Sequence, residues 1–171
     1  MNRRSIFTLS AITALGLALL PSSIAVAQGT LKQQLTGSWT RVSAEDTSPD
    51  GTKHQYFGAN PKGLMVLDPS GRYISITMRP DRPKFKASNN LRLDTSAAEY
   101  AEAARAYAAA FGTWSVNEAD KTLTIKTEGA LIPNAEGAEG KASISLAGDE
   151  LKLVTTPAAG GKVEGVYRRA K

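Results

Sequence analysis

Arginines in unusual company are the first residues of this chain that could do chemistry. In Thr77–Phe85, TMRPDRPKF, Arg79 and Arg82 flank Asp81 and are set among two prolines. Proline fixes its own φ and donates nothing to a strand ladder, so the stretch reads as a stiff loop at the rim of a sheet. Rigid rim guanidiniums can grip a carboxylate through two parallel hydrogen bonds. Asp81 is available to pair with one of them, and Arg82 is the better binding candidate. A third arginine, Arg41, stands two residues after Trp39, so period-two alternation puts both on one strand face. If that face is interior, the guanidinium must meet a carboxylate, backbone carbonyls or an anionic ligand group; a β-bulge after Trp39 would turn it outward instead.

The remaining catalytic inventory is thin. His54 is the single histidine and there is no cysteine. A Cys–His pair is impossible, a Ser–His–Asp triad would depend on one histidine beside a turn, and a zinc site lacks its usual ligands. Glu45, Asp46, Glu118 and Asp120 fall at expected strand ends, where carboxylates are ordinarily solvated, whereas acid–base work needs one buried enough to raise its pKa. No catalytic residue, metal or cofactor is expected. The aromatic residues Trp39, Tyr73, Tyr100, Tyr107, Phe111 and Trp114, with Met65 and Met78, suit either a filled core or an apolar pocket. The candidate ligand contacts are Arg41, Met65, Tyr73, Met78, Arg82, Tyr100 and Tyr107.

The elements that must position these residues are mostly strands. From Leu35 onward apolar residues alternate with polar ones, and turn residues recur at intervals suited to an antiparallel meander. Strands are expected at 35–44, 54–57, 64–67, 72–78, 113–116, 122–127, 143–146, 151–154 and 163–168. Asp68-Pro69-Ser70-Gly71 is the clearest hairpin turn, with proline second and glycine fourth. Ile74, Ile76 and Met78 are expected to form the inward row of their strand. One helix interrupts the meander: Ser96-Ala97-Ala98-Glu99 is a capping box, and the alanine-rich run continues to Phe111 before Gly112 stops it. Residues 129–140, small, acidic and glycine-rich, read as a long mobile loop. Eight or nine strands with one inserted helix predict an up-and-down antiparallel β-barrel, its helix across the open end or against the wall. Such a barrel is just wide enough to be filled by side chains or to hold one small ligand.

The two ends and the charge bound the setting. Residues 1–27 combine Arg3-Arg4, an apolar run from Ile6 to Leu20 and Ala25-Val26-Ala27, the pattern of a signal peptide cleaved after Ala27, with a partial twin-arginine element. A periplasmic or secreted protein is expected, with 28–171 as a single domain. No later segment approaches the roughly 20 apolar residues of a membrane-spanning helix. The net charge of +5 is scattered along the chain, which argues against a nucleic-acid partner.

Gly37-Ser38-Trp39 resembles the G-x-W signature of lipocalin and calycin barrels. A wider resemblance, to the bacterial and fungal lipocalin-like domain family, runs through GSWTRVS (37–43), FGANPKGLMVLDPSGRYISITMRPDRP (57–83), FGTWSVNEADKTLTIK (111–126) and AGDELKL (147–153). The resemblance implies a barrel with an interior cavity, with Gly37 and Trp39 structural at its closed end and Arg168 as the last-strand arginine stacked on the tryptophan. Thr124-Ile125-Lys126 stands where such domains often carry histidine, so no role for that histidine transfers. The expected function is binding of a small, partly apolar molecule, with an acidic group as one option. The alternatives are a small-molecule isomerase, cyclase or hydrolase on the same barrel, or an accessory protein with a filled barrel.

Overall fold

The computed structural model describes residues 29–86 and 95–171; the expected signal peptide lies outside them. In chain order the elements are helix α1 (Leu31–Leu35), strands β1 (Gly37–Thr47), β2 (Lys53–His54), β3 (Lys62–Leu67) and β4 (Arg72–Met78), helix α2 (Ala97–Arg105), then β5 (Tyr107–Asn117), β6 (Thr122–Ala130), a 3-10 turn (Pro133–Ala135), β7 (Glu139–Ala147), β8 (Glu150–Thr155) and β9 (Lys162–Arg169). Each strand from β3 to β9 pairs antiparallel with the next, and β1 pairs with both β3 and β9. The result is a closed eight-stranded up-and-down barrel, with β2 added to the far end of β1 through Asp46 and His54.

One end of the barrel is packed shut. Leu35, Trp39, Leu67 and Leu123 are fully buried there, with Tyr73 and Trp114 beside them. A five-residue helix such as α1 is too short to stand alone. It is held by a Thr30–Gln33 capping box, by the Glu118 carboxylate accepting from the amides of Leu31 (2.8 Å) and Lys32 (3.0 Å), and by Leu35 plugging the barrel. Burying that leucine contributes about 2 kcal/mol. Both tryptophan N–H groups are satisfied by backbone: Trp39 donates to the Leu35 carbonyl and Trp114 to that of Asp68.

The cation that closes this end is Arg169, not Arg168. Its guanidinium lies 4.3 Å from the Trp39 ring centre and donates to the carbonyls of Gln34 and Thr36, the last turn of α1. Arg168 alternates to the outer face and is exposed. The reason is register: Trp39 is paired with Arg169 across β1 and β9, and paired residues share a face.

Three further expectations change. The helix ends at Arg105, and Tyr107 through Phe111 form strand, because Tyr107–Thr113 pair residue for residue with Arg72–Met78. Ladder pairing here outweighs the helix preference of the alanines. The inward row of β4 is Tyr73, Ser75 and Thr77; Ile74 is 54% exposed on the outside with Ile76 and Met78. Residues 129–140 are mostly ordered by pairing, with β6 reaching Ala130 and β7 starting at Glu139 around a short 3-10 turn.

Candidate functional site

At the other end the barrel is not filled. Inward residues there are small: Ala108 and Ala110 on β5, Gly63 on β3, Gly165 on β9 and Gly140 on β7. The alanine run that resembles a helix in sequence is thus a strand whose methyl groups leave space open. Two cavities result. One, of about 210 Å³, is lined by Arg41, Met65, Leu123, Ile125, Leu153 and Tyr167; the other, of about 240 Å³, by Arg41, Phe57, Ser75, Thr77, Ala108 and Leu131. Each falls below the roughly 300 Å³ of a drug-sized site. Arg41 and Ser75 line both, so the cavities are two lobes meeting at the arginine.

Arg41 points inside. The β1–β9 register slips between Arg41 and Ser43, so the bulge falls after the arginine and turns Val42 outward instead. The guanidinium donates from Nε (3.2 Å) and Nη2 (3.1 Å) to the Thr77 hydroxyl and stacks 4.1 Å from the Tyr167 ring centre. Two glycines make room for it. A Cβ on Gly63 would sit 3.0 Å from the Arg41 Cβ, and one on Gly165 would run into Nη1. Arg41 makes no ion pair among the described residues. Its direct contacts are therefore only a hydroxyl and a ring face, beside open space.

Two titratable groups share this interior. Burial pushes the Tyr167 phenol up, against the pull of the Arg41 charge and of Ser75, so the phenol stays a protonated hydrogen-bond donor. Asp46 pairs with Val163, which lines the first lobe, and so faces inward on the same strand as Arg41. Burial raises its carboxyl above the usual range, with His54 and Arg41 pulling it back. It is not the solvated strand-end group expected from sequence, because β1 runs three residues further than its alternation suggested. Glu118, in contrast, caps α1.

Of the other expected contacts, Met65 lines the first lobe, while Tyr73 belongs to the packed end, its hydroxyl 3.1 Å from that of Thr127. Met78, Arg82, Tyr100 and Tyr107 gather outside the barrel. Met78 pairs with Tyr107 on the outer face, Arg82 stacks 5.2 Å from the Tyr107 ring centre and donates to the Met78 sulfur (3.0 Å), and Tyr100 on α2 borders the same shallow groove. Asp81 is taken by Arg79 in a two-pronged pair of 3.0 and 2.7 Å. Ser75, Thr77 and Tyr167 escaped sequence reasoning because polar residues on an inward row look like an outward one. Gly63 and Gly165, inside strands, were the available signal of a close approach.

Among the described residues there is no group of three or more His, Cys, Asp or Glu placed to hold a metal ion, and no helix long and apolar enough to cross a membrane. Comparison with solved structures finds a redesigned β-barrel (14% identity, TM-score 0.42, covering 82% of this chain and 95% of that one). It also finds a de novo designed fluorescence-activating β-barrel (12%, 0.41, 84% and 100%). No curated protein matches the chain. A family model for the lipocalin-like domain matches residues 36–166, and the chain belongs to that family.

Proposed function

We propose that this lipocalin-like protein binds a small, partly apolar molecule carrying an anionic group, held inside the barrel at Arg41. The supporting observation is the arginine itself: an inward guanidinium without an ion pair, cradled over two glycines and opening onto both lobes. A desolvated cation of this kind is costly unless an anion meets it. The apolar part of the ligand packs on Met65, Leu123, Ile125 and Leu153. With each lobe near 210–240 Å³, or about seven to eight waters at roughly 30 Å³ each, the occupant is a small metabolite rather than a long-chain lipid. We also read the chain as exported, with the mature protein starting at Gln28.

Native mass spectrometry of the protein isolated from its producing cells tests this. A bound small molecule that vanishes in Arg41→Leu supports the reading, and a wild-type protein that stays empty and gains no carboxylate ligand on titration overturns it. The intact mass of the same sample reports whether residues 1–27 have been removed.

A second reading has one observation in its favour. Tyr167 and Arg41 present a neutral phenol and a guanidinium to one cavity, a donor pair able to stabilise negative charge developing on a carbonyl oxygen, as an isomerase or cyclase requires. Tyr167→Phe would then lower kcat far more than it raises KM.

A further inference from the structure

Arg41 is not the only charge on the inner wall without a counter-ion. Asp46 stands on the same inward row of β1, and among the described residues it makes neither an ion pair nor a hydrogen bond. These opposite charges feel each other, Arg41 pulling the Asp46 carboxyl down, but they form no ion pair. The Arg41 guanidinium reaches along the wall to lie over Gly165, the register partner of Ala44. Asp46 is two residues further along the strand, about 7 Å from backbone to backbone, and no direct ion pair joins the two side chains. Val163, Asp46's partner, and Thr155, beside it on β8, line the first lobe, so that lobe extends from the cation to the strand level of the partly buried Asp46.

From this geometry we infer that the barrel takes a dipolar ligand, a small amino acid-like molecule whose carboxylate lies on Arg41 and whose protonated amine lies on Asp46. The inference rests on the anion-binding reading of Arg41 and adds the second pole. Thr77 and the Tyr167 ring hold the guanidinium from one side and leave Nη1 turned toward the aspartate side. His54, register partner of Asp46 on β2 and stacked on Tyr56, is the other titratable group at this pole. A ligand with an anion alone would leave the Asp46 carboxylate without a partner, and a cation alone would leave Arg41 so; only a molecule with both satisfies the wall.

The test is calorimetric titration at pH 8 with 4-aminobutanoate and 6-aminohexanoate, each against the plain carboxylate and the plain amine of equal length. One charge-assisted contact is worth about tenfold in affinity. The dipolar probes are expected to bind at least about tenfold tighter than the plain carboxylates, and Asp46→Asn should bring that ratio close to one. Equal binding of amino acid and plain carboxylate to the wild-type protein overturns the dipolar inference and leaves the Arg41 reading standing. Plain amines binding as well as the amino acids, or no probe binding at millimolar concentration, overturns both. The wild-type ratios decide the matter even if the Asp46 variant does not fold.

Discussion

The Arg41 guanidinium lies 4.1 Å from the centre of the Tyr167 ring, and the two residues are register partners across the seam where β1 meets β9. The stack places a positive charge inside the barrel without supplying a negative one. Removing that charge should therefore not behave like removing a structural ion pair. Arg41→Met is expected to leave ligand-free stability unchanged or raise it by up to about 2 kcal/mol, because a desolvated cation is replaced by an apolar chain of similar length. Urea denaturation of the ligand-free protein checks the sign. A loss above 2 kcal/mol would show that Arg41 serves the fold.

The other interior arginine contact predicts the opposite. Arg169 covers Trp39 and donates hydrogen bonds to two carbonyls at the end of α1, whereas Arg168 is exposed. Arg169→Ala should cost about 1–3 kcal/mol, and Arg168→Ala should stay within about 0.5 kcal/mol. The two variants measured side by side decide which residue closes the barrel.

Gly63 and Gly165 both cradle Arg41 but differ in what else they touch. A Cβ at Gly165 meets Nη1, the far end of a flexible side chain, while one at Gly63 also meets the carbonyl oxygen of Ile76. Shrinking Arg41 should thus rescue Gly165→Ala and not Gly63→Ala. Each single alanine is expected to cost about 1–3 kcal/mol, with a favourable coupling of at least about 0.5 kcal/mol in the Gly165→Ala, Arg41→Met double variant. Additive losses at Gly165 would place the guanidinium elsewhere.

Two carboxyls give pH dependences of opposite sign. The hydrogen bond from Arg72, 2.6 Å long, holds Glu128 below its ordinary pKa. Its contribution is present above the unfolded value near 4.5 and is lost as pH falls through the lower folded one. Glu128→Gln should therefore be the less stable protein at pH 7, by an amount that shrinks with salt and disappears in acid. Burial holds Asp46 above its ordinary pKa, so ionising it costs stability. That cost is absent below the unfolded value near 3.9 and complete above the raised folded value. Asp46→Asn should be the more stable protein at pH 7 and indistinguishable from wild type in strong acid. Thermal midpoints of both variants between pH 3 and pH 8 would show the curves diverging in opposite directions.

The barrel was legible in the sequence because period-two alternation and turn residues such as Asp68-Pro69-Ser70-Gly71 are local signals, and the turn forms as expected, with the Gly71 amide donating to the Asp68 carbonyl. The face of each strand was less legible. On β4 both rows are plausible cores, Tyr73-Ser75-Thr77 and Ile74-Ile76-Met78, and only pairing across the closed sheet decides between them. That decision sent Met78 and Tyr107 outside and brought Ser75 and Thr77 to Arg41. Ala108–Ala110 misled for a related reason. Helix propensity is a property of the residues, but their role as the thin wall of a cavity depends on β4 lying alongside. Arg41 was readable by counting from Trp39, since the bulge that could have turned it outward comes one step later.

The pairing of β1 with β9 has a consequence in time. Trp39 finds Arg169 only after the whole intervening chain has been made, so neither the sealed end nor the cradle of Arg41 exists before β9 is synthesised. Contacts so distant in sequence make for slow folding, because loop closure must come before any reward. Until residues 162–169 arrive, both edges of the open sheet remain unpaired templates for other strands. The cavity beside Arg41 thereby comes into being only with the last strand.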